Sequence, residues 1–270
     1  MKRFYIITNR TKDKDLKVTK NIKSYIESKG GVCFLAEEYT YMPKEIDCIL
    51  VLGGDGTLIR AARELPSSDV PMLGINMGTL GYLTEVEVGD MEKSIDQLME
   101  GNSYVEKRML LHGSVQGKDE SLALNDIVLT RCGNVRVMQF HVYVNGELLN
   151  TYRADGVIVS TPTGSTAYNL SAGGPIVAPT ASLIVITPIC SHALNTSSIV
   201  LSAEDEIVLE VGVGRDGNAE EAVVSFDGEK DVLVQTGDRI HIRRAETTAK
   251  LLKLSKISFL EIMRRKMKGN

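Results

Sequence analysis

The stretch ILVLGGDGTLIRAARELP, residues 49–66, decides how the chain is read. Four apolar residues run straight into Gly53-Gly54-Asp55-Gly56-Thr57, and apolar and charged residues then alternate at helical spacing up to Pro66. A continuous apolar run closed by glycines reads as a buried strand of a parallel sheet, and the amphipathic segment behind it as the following helix, ended by the proline. In such sheets ligands gather beyond the carboxyl ends of the strands, where this loop falls. Glycines there free the backbone for positive φ and let a phosphate approach the amides that open the helix.

Asp55 is then a carboxylate beside an anion site, and it would repel a phosphate unless a cation or a hydroxyl proton lay between them. Both remedies point to phosphoryl transfer, with the carboxylate accepting the proton of an alcohol. The plainer alternative, in which Asp55 only makes a turn and Thr57 caps the helix, stands level with it on so short a motif. Spacing excludes two familiar loops. A dinucleotide fingerprint would need glycine at Ile59, and a Walker loop would need Gly-Lys-Ser/Thr, which occurs neither here nor in TPTGSTAY at 161–168.

The same strand–helix grammar extends over residues 1–107. FYIITN, GVCFLAE and DCILVL read as strands. KDLKVTKNIKSYIESKGG reads as a helix with Leu16, Ile22 and Ile26 on one side and Gly30 as its stop, and DMEKSIDQLMEGN as a helix between Asp90 as N-cap and Gly101. This alternation predicts βαβ units on a mostly parallel sheet. From about residue 108 the helical signal disappears. FHVYVNGELLNTY turns around Asn145-Gly146 and VVSFDGEKDVLVQ around Asp227-Gly228, two strong hairpin signals, with SIVLSAEDEIVLEVG and DRIHIRR adding strands. The fold class is therefore α/β plus all-β, the second part an antiparallel sandwich-like domain. The expected division is 1–107 with about 255–270, and 108–254, the C-terminal segment carrying a helix near 259–267 that packs back on the first domain.

Composition narrows the function further. A chain of 270 residues with net charge -4 and pI near 5.7 lacks the excess of Lys and Arg that a nucleic-acid binder would show. Cys33, Cys48, Cys132 and Cys190 have no CxxC spacing and read as reduced core residues, and the four histidines have no metal-binding spacing. A protein-held metal is not expected. MKRFYIITNR is too short for a signal peptide, and the longest apolar run, ASLIVITPIC at 181–190, is about half of what a bilayer needs, so the expected location is the cytoplasm, without a membrane partner.

Five stretches together are similar to the NAD kinase family, in order and over nearly the whole chain: GGDGT, GINMGTLGYLTE at 74–85, LNDIVLTR at 124–131, YRADGVIVSTPTGSTAYNLSAGGPIV at 152–177 and VQTGDRIHIRR at 234–244. GGDGT alone is shared with lipid kinases, whereas DGVIVSTPTGSTAY followed by SAGGP is specific. The resemblance implies phosphorylation of the 2′-hydroxyl of the adenosine ribose of NAD, by ATP or polyphosphate with Mg²⁺ carried on the nucleotide, to give NADP. It makes Asp55 the general base in the phosphate loop of Gly53, Gly54, Gly56 and Thr57.

Asn125 and Asp126 match the family's Asn-Glu pair that contacts NAD, with an aspartate in place of the usual glutamate, one methylene shorter. Arg153 and Asp155 match positions near the nicotinamide side and the neighbouring subunit. Thr166, Ala167, Tyr168, Asn169, Leu170 and Ser171 match the run shaping the adenine pocket, and Arg136 and Gln235 are placed by spacing as further NAD contacts. Gly78 and Thr79 suggest a turn near the phosphates. The resemblance also implies a homodimer or homotetramer. Two other readings remain: a lipid or small-alcohol kinase sharing only the glycine loop, for which no apolar entry segment is evident, and a non-catalytic NAD-binding regulator.

Overall fold

The computed structural model describes residues 1–38, 41–65, 69–78, 81–133, 137–193, 197–214 and 217–267. The chain divides into two compact units, one of residues Met1–Lys107 with the chain from Ala249 onward, the other Arg108–Thr248.

The first unit begins β1 (Arg3–Thr8), α1 (Lys17–Ser28), β2 (Val32–Leu35), β3 (Cys48–Gly53), α2 (Asp55–Glu64), β4 (Met72–Asn76), β5 (Val86–Glu87) and α3 (Met91–Glu100). Strands β2-β1-β3-β4 lie side by side, all parallel, with β5 parallel to β4. Every residue of β3 is buried, as a parallel strand covered on both faces requires. Ile22 and Ile26 of α1 and Ile95 and Leu98 of α3 share one core with Phe4, Ile6, Leu50, Leu52, Leu73 and Ile75. Spacings of three and four residues put each pair on one helix face. Leu16 is not part of that face. It precedes α1 with φ 53, and Thr19 completes the buried stripe. Asp90 occupies the N-cap of α3 without a side-chain capping bond, while Gly101 takes φ 81 at the other end. Pro66, expected to end α2, lies outside the described residues.

The second unit contains β6 (Tyr104–Val115, its first residues in unit one), β7 (Asp119–Ala123), β8 (Asp126–Arg131), β9 (Met138–Val144), β10 (Glu147–Ala154), β11 (Gly156–Ser160), the short α4 (Tyr168–Ser171), β12 (Leu183–Ile189), β13 (Ile199–Ser202), β14 (Ile207–Val211), β15 (Glu221–Phe226), β16 (Lys230–Gln235) and most of β17 (Arg239–Lys253). One antiparallel layer runs β13-β12-β11-β8-β15-β16 and another β10-β9-β14-β17. Their inward residues interdigitate in one core, Leu129, Val157, Val159, Ile184 and Val224 from the first layer and Phe140, Val142, Leu209 and Ile240 from the second. Asn145-Gly146 and Asp227-Gly228 make the β9–β10 and β15–β16 hairpins, with φ 51 and 84 at the first and 52 and 69 at the second. Positive φ at both central residues matches the right-handed twist of the paired strands.

The first unit reclaims the chain at Ala249, six residues before the expected 255, because the end of β17 joins its sheet: Leu251 pairs in parallel with Met72 and Leu252 enters the same core. Helix α5 (Phe259–Met267) follows. The cysteines do not all lie in the core. Cys33 and Cys48 are buried, but Cys132 and Cys190, just past the ends of β8 and β12, are exposed. Among the described residues no helix is long and apolar enough to cross a membrane.

Candidate active site

The glycine loop closes β3 and opens α2 at the carboxyl edge of the parallel sheet, with Gly54 as the helix N-cap. The expectation of positive φ is not met at Gly53, Gly54 or Gly56. These glycines serve space instead: a side chain on Gly53 would run into Thr57, and around Gly56 there is only open space. Thr57 does not cap the helix. It is buried, and its hydroxyl accepts a bond from Asn9 Nδ2 at 3.2 Å.

Asp55 is held by the segment Tyr82–Thr84. Its Oδ1 accepts the amides of Leu83 (3.2 Å) and Thr84 (3.1 Å) and the Thr84 hydroxyl (3.3 Å), while among the described residues Oδ2 accepts only the Tyr82 amide at 2.6 Å. A carboxylate oxygen offers about two lone pairs, so Oδ1 is fully used and Oδ2 retains capacity for one more proton donor. Gly81 makes the approach possible, since a Cβ there would overlap the Asp55 carboxylate. Behind this segment Glu85 and Lys253 form a buried ion pair at 2.9 Å, and Glu85 also takes both Ser255 donors. Burial alone would raise the Glu85 carboxyl, but the Lys253 charge and these hydrogen bonds hold it below its ordinary range.

In the second unit Asp227 organises the Asn125–Asp126 corner. Its carboxylate accepts the amides of Leu124 (2.9 Å), Asn125 (2.7 Å) and Asp126 (3.3 Å). Asn125 lends its carbonyl to the Thr161 amide at 2.8 Å, and Gly164 packs so closely on that carbonyl that no side chain would fit there. The Asp126 side chain is 5% exposed. Burial, and then the neighbouring Asp227 charge, push its carboxyl up to about 7.

The run from Thr161 is braced from within. Thr161 donates to the Leu124 carbonyl at 2.6 Å and accepts the Gly164 amide at 3.1 Å, tying the run to the Asn125 corner. Asn169 is fully buried, donating to the carbonyls of Ser165 and Pro175 and accepting from Thr187. Thr166 and Ala167 are half-buried, whereas Tyr168, Leu170 and Ser171 are exposed.

Arg153, Asp155 and Gln235 lie elsewhere. Asp155 pairs with Arg131 at 3.0 Å, at the far end of β8 from Asp126. Five residue steps at ~3.3 Å each separate those ends by roughly 16 Å. Gln235 is at the same end: its ladder partner is Glu221, and the adjacent Ala222–Val234 pair continues to Arg131. Arg153 lines a cavity of about 530 Å³ with Gln139, His192 and Val213. Arg136 and Thr79 fall outside the described residues. Among the described residues no group of three or more His, Cys, Asp or Glu side chains is placed to hold a metal ion.

Two family models match this chain, the ATP-NAD kinase N-terminal domain over residues 9–103 and the ATP-NAD kinase C-terminal domain over 124–254. The chain belongs to the NAD kinase family. Similar relatives are NAD kinases of Lachnospira eligens, 46% identical with 99% of this chain and 100% of the relative covered, and of Agathobacter rectalis, 47% identical with 100% and 99% covered. A solved NAD kinase from Archaeoglobus fulgidus in complex with ATP superposes with a TM-score of 0.78 at 26% identity, covering 98% of each chain. Yeast NADH kinase complexed with NADH shares the fold, with a TM-score of 0.84 at 23% identity, over 100% of this chain and 88% of the other. As an NAD kinase family member the chain is a phosphotransferase that phosphorylates NAD. Within this NAD kinase fold, sequence reading gave no role to Gly81–Thr84 or to the carboxylate of Asp227. Glycines repeated through GINMGTLGY signalled the first, and nothing local signalled the second.

Proposed function

We propose that the chain transfers a phosphoryl group from ATP, or from polyphosphate, to the 2′-hydroxyl of the adenosine ribose of NAD, giving NADP. The observation that carries this reading is the asymmetry of Asp55. One oxygen is saturated by the 83–84 segment and the other keeps a lone pair, so the carboxylate is fixed in orientation with one basic atom to offer. Asp55 Oδ2 takes the hydroxyl proton as the ribose oxygen attacks the terminal phosphorus, and the bond from that phosphorus to the leaving oxygen breaks. General-base help of this kind contributes ~10²–10⁴-fold.

The loop of Gly53, Gly54, Gly56 and Thr57 receives the donor phosphates at the start of α2, where orphan amides and the helix dipole favour an anion. Asn125, Asp126 and the 166–171 run hold the nucleotide, with half-exposed Tyr168 available to stack on a base and buried Asn169 keeping the run in shape. Arg136, Arg153, Asp155 and Gln235 complete the NAD contacts in this reading. Mg²⁺ arrives with the phosphate donor and shields its oxygens. Asn76 Oδ1, buried without a hydrogen-bond donor among the described residues at the strand end paired with Gly53, suits a hydrated ion of this kind. By resemblance to the family we further read the protein as a cytoplasmic homodimer or homotetramer, and light scattering on the purified chain checks the assembly.

The test is NADP formation from NAD, ATP and Mg²⁺ by the wild-type chain and by Asp55→Asn, with melting curves of both. Turnover lost by at least about 10²-fold in a folded variant supports the base role. Comparable turnover by the two proteins removes it, and absence of NADP with wild type overturns the substrate assignment.

A further inference from the structure

We infer that Lys12 is a phosphate-binding residue of the glycine loop, its ammonium taking an oxygen of the phosphoryl donor. This rests on the phosphotransfer reading above and supplies what that reading lacked from the protein itself, a positive charge at the glycine loop.

The Lys12 Nζ stands over two glycines from different connections, 3.1 Å from where a Cβ would lie on Gly54 and 3.1 Å from where one would lie on Gly78. Among the described residues this ammonium has no acceptor, neither a hydrogen bond nor an ion pair with Asp55. Lys12 is exposed, and the chain on both sides of it is fixed. The Lys12 amide donates to the Asn9 carbonyl at 3.0 Å, and the Asn9 amide donates to Leu52 O at 2.8 Å. The Asn9 side chain accepts both Thr11 donors through Oδ1 and reaches Thr57 through Nδ2. On the other side Asp13 is 5% exposed, and its carboxylate accepts the amides of Val18 and Thr19 and the Thr19 hydroxyl.

A second observation at the same edge points to an absent ligand. Asn76 is 3% exposed and donates through Nδ2 to the Gly78 carbonyl at 2.7 Å, while among the described residues its Oδ1 has no partner. A buried acceptor left alone is costly, and the waters on a cation accompanying a phosphate chain are donors. Asn76 is thus bonded to Gly78, and Lys12 stands over Gly78, so among the described residues one acceptor and one donor without partners share a glycine. A lysine ammonium binds phosphate as a point charge, and hydrogen bonds to charged groups are about twice as strong as neutral ones.

The experiment uses the full chain as wild type, Lys12→Met and Lys12→Arg. Steady-state kinetics are measured with ATP and NAD varied separately, and melting is titrated with Mg²⁺ and inorganic tripolyphosphate. Lys12→Met should lower kcat/KM for ATP about 10- to 100-fold and abolish the tripolyphosphate-dependent rise in Tm, with KM for NAD within about twofold and the ligand-free Tm unchanged. Lys12→Arg, which keeps the charge, should recover most of both effects. The inference is overturned if Lys12→Met retains the wild-type kcat/KM for ATP and the same tripolyphosphate shift. It is equally overturned if losses toward ATP and NAD are equal, the melt falls and arginine gives no rescue, since that pattern belongs to a structural residue. Should the wild-type chain make no NADP, the phosphotransfer reading fails, while the tripolyphosphate titration still decides the role of Lys12.

Discussion

Gly81 carries no side chain where the Asp55 carboxylate passes: a Cβ at residue 81 would occupy the position of the carboxylate oxygens. The two residues are 26 apart in sequence, yet the absence of atoms at one fixes the place of the other. Gly81 is not among the residues at positive φ, so its backbone tolerates alanine and the effect of substitution is steric. Gly81→Ala should therefore displace Asp55 and lower kcat by at least about tenfold, with KM for ATP little changed. Steady-state kinetics on the folded variant check this, and wild-type kcat would show that the carboxylate has room to move.

Asp126 gives the folded chain a pH signature. Its carboxyl stays protonated up to about 7 in the folded state, against an ordinary value of 3.8, because it is buried and faces Asp227. Between those values the folded chain binds more protons than the unfolded one, so stability from this group is present at low pH and is lost as pH rises through about 7. Urea unfolding at pH 5 and pH 8 should show wild type losing more stability than Asp126→Asn, by a few kcal/mol in the ligand-free protein. Parallel pH dependences would place the Asp126 charge in contact with water.

Asp227 can be changed without losing its turn, since asparagine accepts the positive φ of 52 and precedes Gly228 as a favoured hairpin pair. Asp227→Asn should weaken the acceptor for the amides of Leu124, Asn125 and Asp126 and raise KM for NAD several-fold. It should also move the Asp126 transition to lower pH by removing a like charge. NMR titration of the carboxyl resonance follows the second effect directly.

The Glu85–Lys253 pair is costly to break, both side chains being 8% exposed. Glu85→Ala leaves a buried ammonium and strips three acceptor bonds from Leu254 and Ser255, so it should cost roughly 3–5 kcal/mol in denaturant unfolding. Because Glu85 follows the segment that grips Asp55, turnover should fall as well. A loss below about 1 kcal/mol would mean that water reaches Lys253 in the variant.

Much of this architecture is written locally. Strand β3 and helix α2 follow from the change of apolar spacing at Gly53, and the two hairpins from Asn145-Gly146 and Asp227-Gly228, because periodicity and turn chemistry act over a few residues. Leu16 was misplaced on the α1 face because a left-handed residue before the helix leaves no trace in apolar spacing. Asp55 was legible as a carboxylate at a strand-to-helix turn, but the segment that orients it was not.

The sequence by itself determined the order of elements, the family resemblance and the presence of a carboxylate at a strand-to-helix turn, since each is carried by neighbours in the chain. Only the tertiary structure decided which oxygen of Asp55 takes three of its hydrogen bonds and which takes one among the described residues. It alone placed Asp227 under the amides of residues about 100 positions away, returned Leu251 to the sheet of Met72 and set Lys12 over Gly54 and Gly78. Those contacts join segments that local pattern leaves independent, and packing and hydrogen-bond satisfaction bring them together only when the whole chain is folded.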